Sequence, residues 1–223
     1  IRSGGHGTAG HGTLDGGVVV DLSMMKNVSV DPVRRTAWAQ PGATSADLIA
    51  ATAPHGLALS TGDTATVGLG GLTTGGGIGW MVRKQGLTID NLLSAEVVTA
   101  DGRIVVASAE QHPDLFWALR GGSGNFGIVT GFEYRLHEVP MVLGGALLLP
   151  PTLEALRGWA EYAPYAPEEL TTICFLMHIP PVEPFPPALH GQLVFLVGIC
   201  YAGDIEAGQR AIDPLRKVAE PLG

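Results

Sequence analysis

The sequence predicts an α+β protein of two domains, on three observations. Glycine makes up 32 of 223 residues, and most of it lies in clusters before residue 132. Near residue 140 the clusters stop and prolines accumulate, at Pro150, Pro151, Pro180, Pro181, Pro184, Pro186 and Pro187. Beyond that change the segments read strand, helix, strand, strand, helix, the order of an α+β layer. A boundary at 138–142 follows, giving domains of residues 1–139 and 140–223.

Residues 1–17 form a Gly/His/Thr loop. The apolar run Val18 to Leu22 predicts a short buried strand, and Thr36 to Ala39 another. Thr44 or Ser45 caps a helix carrying Leu48 and Ile49, which ends near Pro54 and Gly56. Residues 62–79 read as a glycine-rich loop. Glu96 to Thr99 and Ile104 to Ala107 flank Asp101-Gly102, a hairpin signal. Asp114 to Leu119 fits a short helix, and residues 128–136 a strand. In the second domain, Leu143 to Leu149, Ile173 to Met177 and Leu193 to Cys200 read as strands. Leu153 to Tyr162 and Ile205 to Val218 read as helices by their apolar spacing. No repeat of fixed period is present.

Bulk properties exclude several classes. The net charge is −8, and the few Lys and Arg are scattered, so the basic stripe of a nucleic-acid binder is missing. No run of about 18 apolar residues suggests a membrane span, and no His/Cys cluster has metal-ligand spacing. Cys174 and Cys200 lie in apolar segments and read as buried free thiols. Charged residues make up 15% of the chain, below the roughly 25% usual for soluble domains.

The glycine clusters point to chemistry. They are Arg2-Ser3-Gly4-Gly5-His6, the segment Val67 to Gly79 with 7 glycines in 13 residues, and Arg120 to Gly127. Consecutive backbone N–H groups in mixed left- and right-handed conformations make a concave nest for phosphate oxygens. Glycine supplies positive φ and removes the Cβ that blocks close approach. An acidic chain holding a pyrophosphate with few cations would use such donors. Ordinary turns are the alternative, and they account for one cluster better than for three. Gly122, Gly124 and Gly127 match the spacing of the dinucleotide fingerprint. That motif needs a strand before it and a helix after it, whereas here a helix precedes and a strand follows. A P-loop is excluded by the absence of a Gly-Lys-Ser/Thr ending.

Taken in order, five segments resemble the vanillyl-alcohol-oxidase/PCMH flavoprotein superfamily, and among its members the berberine-bridge-enzyme-like FAD-linked oxidases. They are Arg2 to His6, Asp15 to Ser23, Gly62 to Trp80, Gly86 to Asn91 and Asp114 to Thr130. The resemblance extends through Cys200 to Asp204 and Asp213 to Leu215 and so covers essentially the whole chain. It implies a PCMH-type FAD-binding domain of two subdomains, N-terminally incomplete, followed by part of an antiparallel-sheet substrate domain. The chain then corresponds to a fragment of a typical member, and the catalytic base is expected in the part it lacks. It also implies an oxidase that moves hydride from an alcohol or sugar-like substrate to FAD and then to oxygen, giving hydrogen peroxide. A flavin dehydrogenase with another acceptor, a non-catalytic flavin-binding module and a cofactor-free sugar-binding surface are the competing readings.

The resemblance also implies site residues. His6 holds the position whose imidazole bonds covalently to the flavin ring; outside this motif, a single loop histidine reads as a surface group. His11 has no role in the family pattern and is taken as structural. Ser3, Gly4, Gly5, Gly7, Gly68, Gly70, Gly71, Gly75, Gly76 and Gly127 are candidates for the cofactor's phosphates and ribityl chain, and Asn91 and Ile128 for the adenine end. Thr64 stands where bicovalent members have a second attachment cysteine, so attachment through His6 alone is expected. Leu72 replaces a histidine of many plant members. Val67 aligns with a position that gates oxygen, where valine resembles oxidases; a plain apolar contact is the alternative. The expected partners are a small-molecule substrate and oxygen, with no nucleic acid, membrane or metal.

Overall fold

The computed structural model describes residues 1–139 and 141–222. Contacts divide the chain into two compact units, Ile1–Pro140 and Met141–Gly223.

The first unit is built on a five-stranded antiparallel sheet. Its strands are β1 (Val28–Asp31), β2 (Thr36–Ala39), β4 (Leu92–Val98), β5 (Ile104–Ser108) and β6 (Ile128–Arg135), in the order β1-β2-β6-β4-β5. A two-stranded ribbon pairs β3 (Leu57–Ala58) with β7 (His137–Glu138). Four helices accompany them: α1 (Ser45–Thr52), α2 (Leu69–Thr74), α3 (Val82–Gln85) and α4 (Pro113–Gly122). Strand β6 lies mid-sheet, and its inward residues Val129, Phe132 and Tyr134 are buried with Ala37, Ala39, Ala95, Val97 and Ala107 of the neighbouring strands. Small residues there leave room for Leu48, Leu69 and Leu119 from the helices. Gly131 is required by packing, since a Cβ would lie 1.9 Å from the Trp38 ring of the adjacent strand.

Local chemistry sets the ends of α1. The Thr44 hydroxyl accepts from the Asp47 N–H at 3.3 Å, and the Asp47 carboxylate accepts from the Thr44 N–H at 2.8 Å. This reciprocal capping box satisfies two orphan donors of the first turn. The helix tightens into a 3-10 turn at Ala53–His55 and stops at left-handed Gly56, φ 64°. The hairpin at Asp101-Gly102 also forms, with Val98 opposite Ile104.

Two expectations in this unit are corrected. Val18 to Leu22 is not a buried strand: Val18 is 87% exposed, and only Leu22 is buried. Among the described residues, the segment pairs only through a parallel bridge between Arg2 and Asp21, with no neighbouring strand to cover its apolar side chains. Residues 62–79 are not all loop, because α2 lies within them. Glycine disfavours helix by up to about 1 kcal/mol per residue, which hides the turn in the sequence. Burial of Leu69, Thr73 and Thr74 overrides that propensity.

The second unit has a three-stranded antiparallel sheet in the order β8-β10-β9, from β8 (Leu143–Leu149), β9 (Leu170–His178) and β10 (Leu193–Tyr201). Helices α5 (Leu153–Tyr162) and α6 (Ile205–Arg216) are capped by Thr152 and Asp204. Leu149, Ala155, Leu170, Val197, Ile212 and Leu215 form its main core. Cys200 in β10 is buried and Cys174 in β9 only half-buried, and both are free thiols. Burial pushes both above the ordinary cysteine range, which keeps them unreactive. No helix among the described residues is long and apolar enough to cross a membrane, and no group of His, Cys, Asp or Glu among them could hold a metal ion.

Candidate functional site

The three glycine clusters, far apart in sequence, converge on one cavity of about 800 Å³ in the first unit. That volume lies within the roughly 300–1,000 Å³ range of small-molecule and cofactor sites. The loop Ile1 to Gly7 forms one wall, Val67, Gly68, Gly70, Gly71 and Leu72 another, and Ser123, Gly124, Asn125 and Gly127 a third.

Backbone contact holds the first two walls together. A Cβ on Gly4 would lie 2.4 Å from the Gly68 nitrogen, and one on Gly68 would lie 2.3 Å from both the Gly4 nitrogen and Ser3 Oγ. The Ser3 hydroxyl donates to the Pro41 carbonyl at 2.5 Å, which ties the loop to the segment before α1. Helix α2 is in turn anchored to the sheet, where the hydroxyls of Thr73 and Tyr134 meet at 2.6 Å in full burial. That burial holds the Tyr134 phenol well above its usual range and therefore neutral.

The cavity wall suits a phosphate-bearing cofactor. Among the described residues, the backbone N–H groups of Ser3, Gly4, Gly5, His6 and Gly7 make no hydrogen bond, and Gly5 has φ +72°. Such a run of unbonded donors around a positive-φ residue is what an anion nest requires. A Cβ on Gly7 or Gly71 would find nothing within 4 Å, so bare main chain faces the space at those points. Arg2 supplies a cation: its Nε lies 3.3 Å from where a Gly5 Cβ would stand, and its guanidinium is 3.9 Å from Asp21. His6 lies on the wall, with Nε2 3.0 Å from Thr66 Oγ1.

Ser3, Gly4, Gly5, His6, Gly7, Val67, Gly68, Gly70, Gly71, Leu72 and Gly127 are thus brought together around the cavity. Thr64, Gly75, Gly76, Asn91 and Ile128 are not among the residues lining it. Thr64 is exposed and donates to Asp63 at 3.1 Å. Gly75 closes the C-terminus of α2, and Gly76 follows it at φ +118°. The Asn91 side chain is buried and committed to structure. Its Nδ2 donates to the carbonyls of Gln85 and Leu87 at 2.9 and 3.0 Å, and its Oδ1 meets His137 Nε2 at 2.6 Å. Both Asn91 protons go to carbonyls, so its oxygen accepts and His137 donates. Burial, with Arg135 and Lys84 nearby, lowers the His137 pKa and keeps the ring neutral. Ile128 pairs with Val98, and its neighbour Val129 lines the cavity instead.

His11, expected to be structural, also lies on the wall. Thr66, Pro41 and Asn125 were not singled out in the sequence. Thr66 stands two residues before Gly68, and only the folded loop reveals its contact with His6.

Residues 1–108 match the family model described as FAD binding domain. Residues 1–108 are thus an FAD binding domain, and the relatives of the chain are FAD-linked oxidases and oxidoreductases. The chain shares 42% identity over 159 residues with (R)-6-hydroxynicotine oxidase of Paenarthrobacter nicotinovorans, a match covering 71% of this chain and 35% of that protein. The solved structure of 6-hydroxy-D-nicotine oxidase from Arthrobacter nicotinovorans superimposes on the chain with TM-score 0.89 at 32% identity. That match covers 100% of this chain and 48% of the other. Two variants of Phl p 4, a grass pollen allergen, each give TM-score 0.80, at 29% and 28% identity, covering 98% and 97% of this chain and 43% and 44% of theirs. The one with a single asparagine-to-histidine change is a glucose dehydrogenase. The one with an added isoleucine-to-valine change, five positions earlier, is a glucose oxidase. The chain spans half or less of the length of these relatives.

Proposed function

We propose that this chain holds the flavin of an FAD-dependent oxidase, attached covalently through His6 alone. The observation that carries this reading is the convergence of three glycine clusters and His6 on one cavity, one wall of which, Ser3 to Gly7, carries backbone N–H groups without a hydrogen-bond partner among the described residues. Those donors, with Arg2, suit the pyrophosphate. Oriented amides replace water around the phosphates at no reorganisation cost. His6 stands on the wall as a neutral-capable nucleophile. FAD held there by Ser3 to Gly7, Arg2 and His6 would supply the redox chemistry, hydride acceptance from a substrate C–H bond and electron transfer to oxygen to give hydrogen peroxide.

Val67 supports oxidase over dehydrogenase. Val67 and Leu72 are five residues apart on the same wall, the spacing of the paired changes that accompany the glucose dehydrogenase and glucose oxidase forms of Phl p 4. A small side chain at Val67 leaves oxygen room to approach. The glucose-oxidising relatives support an alcohol or sugar-like substrate. Thr64 has no thiol for a second bond, so attachment is monocovalent.

Flavin fluorescence of the denatured protein on a gel tests the attachment. The wild-type band should fluoresce and the His6→Ala band should be dark, while native His6→Ala supplied with FAD remains yellow. A dark wild-type band from a yellow native protein would sink the covalent reading. A colourless protein after FAD addition would sink the flavoprotein reading for this chain altogether. Slow reoxidation in air, cured by an artificial acceptor, would mark a dehydrogenase instead.

A further inference from the structure

The contact between Thr66 and His6 has no assigned purpose, though it joins residues 60 positions apart at the edge of the cavity. We propose that Thr66 is the positioning residue for flavin attachment: its hydroxyl holds Nε2 of His6 and so presents Nδ1 as the nitrogen that bonds the flavin. The inference rests on the reading of His6 given above.

A neutral imidazole has one N–H and one lone pair, on different nitrogens. The hydrogen bond made by one nitrogen decides which of them carries the proton. Thr66 Oγ1 lies 3.0 Å from Nε2, within hydrogen-bond distance of that nitrogen. With the hydroxyl accepting, the proton stays on Nε2 and the lone pair is left on Nδ1. The ring is also held against rotation, which an exposed loop histidine would otherwise undergo at will.

A hydroxyl suits this post because the demand on it reverses. Attachment forms a bond between Nδ1 and the methyl carbon of the flavin ring. One C–H bond of that methyl breaks and its proton leaves, as does the Nε2 proton. The electron pair of the C–H bond remains in the flavin ring and passes to oxygen, which takes up two protons to give hydrogen peroxide. The neutral substituted ring then has its lone pair on Nε2, and Thr66 now donates to it. Threonine does both without moving. Valine, of nearly the same shape, does neither, and a carboxylate could only accept.

The test supplies FAD to the wild type, Thr66→Val and Thr66→Ser, and follows the fraction of chains that keep flavin after denaturation. Native flavin absorption serves as the folding control. Thr66 is exposed, so all three proteins should bind FAD. Thr66→Val is expected to attach it about tenfold more slowly, the equivalent of one lost hydrogen bond, and Thr66→Ser to recover the wild-type rate. Independently of any variant, NMR of the flavin peptide released from the wild type should show substitution at Nδ1. Attachment by Thr66→Val at the wild-type rate, or substitution at Nε2, would overturn the proposal while leaving His6 as the attachment site. A wild type that holds flavin only non-covalently would overturn both.

Discussion

A glycine in this cavity wall serves one of two purposes, and substitution separates them. Gly68 touches main chain: a Cβ there would lie 2.3 Å from the Gly4 nitrogen, and no rotamer change relieves that. Gly68→Ala should therefore force the two walls apart, destabilising the protein by about 1–3 kcal/mol, as overpacking does, and lower FAD binding at the same time. Gly71 on α2 is different, because a Cβ there meets nothing within 4 Å. Gly71→Ala should leave stability unchanged or raise it by up to about 1 kcal/mol, the helix preference for alanine, yet still weaken FAD binding by intruding on the cavity. Thermal melts with and without FAD check both. Equal loss of stability in the two variants would contradict this division.

At the scale of elements, α1 is held at its start by side chains rather than by a long apolar face. Replacing Thr44 by alanine removes one half of the capping box and should cost about 1 kcal/mol, measured by urea denaturation with the flavin site intact. The cap was legible in the sequence to within one residue, Thr44 or Ser45, because capping side chains act locally. So were β2, β8, α5 and the β4–β5 hairpin, where spacing or turn residues act over a few positions. What escaped was non-local. The run Val18 to Leu22 has the composition of a strand, but composition does not state whether a neighbour exists to pair with it. Helix α2 was concealed by its glycines and exists because Leu69 reaches the core and Thr73 reaches Tyr134, 61 positions away. In the site, the backbone donors were legible as glycine clusters. The commitment of Asn91 to three partners and the contact of Thr66 with His6 depend on segments that the sequence does not bring together.

For the molecule as a whole, two units whose hydrophobic clusters share no residue imply two stabilities. The first unit packs around Phe132 and Tyr134, the second around Leu149, Leu170 and Leu215. The lining of the cavity comes entirely from residues 1–129, so ligand binding energy is delivered to one core directly. Calorimetry of the flavin-loaded protein and of His6→Ala without FAD should show two transitions, of which only one moves with the cofactor, by mass action. A single transition that shifts as one would show that the units unfold together. Arg2 is the one arginine or lysine among the described residues lining the cavity, so an anionic ligand there would rest mainly on uncharged amides.

The approach of Gly4 to Gly68 has a further consequence for how such a chain can change over time. Most clashes can be repaired by trimming the opposing side chain, so substitutions drift in compensating pairs. Here each glycine is opposed chiefly by the peptide of the other, which no codon change can shorten. The two positions are therefore locked independently, and a suppressor of either substitution has to move a whole loop.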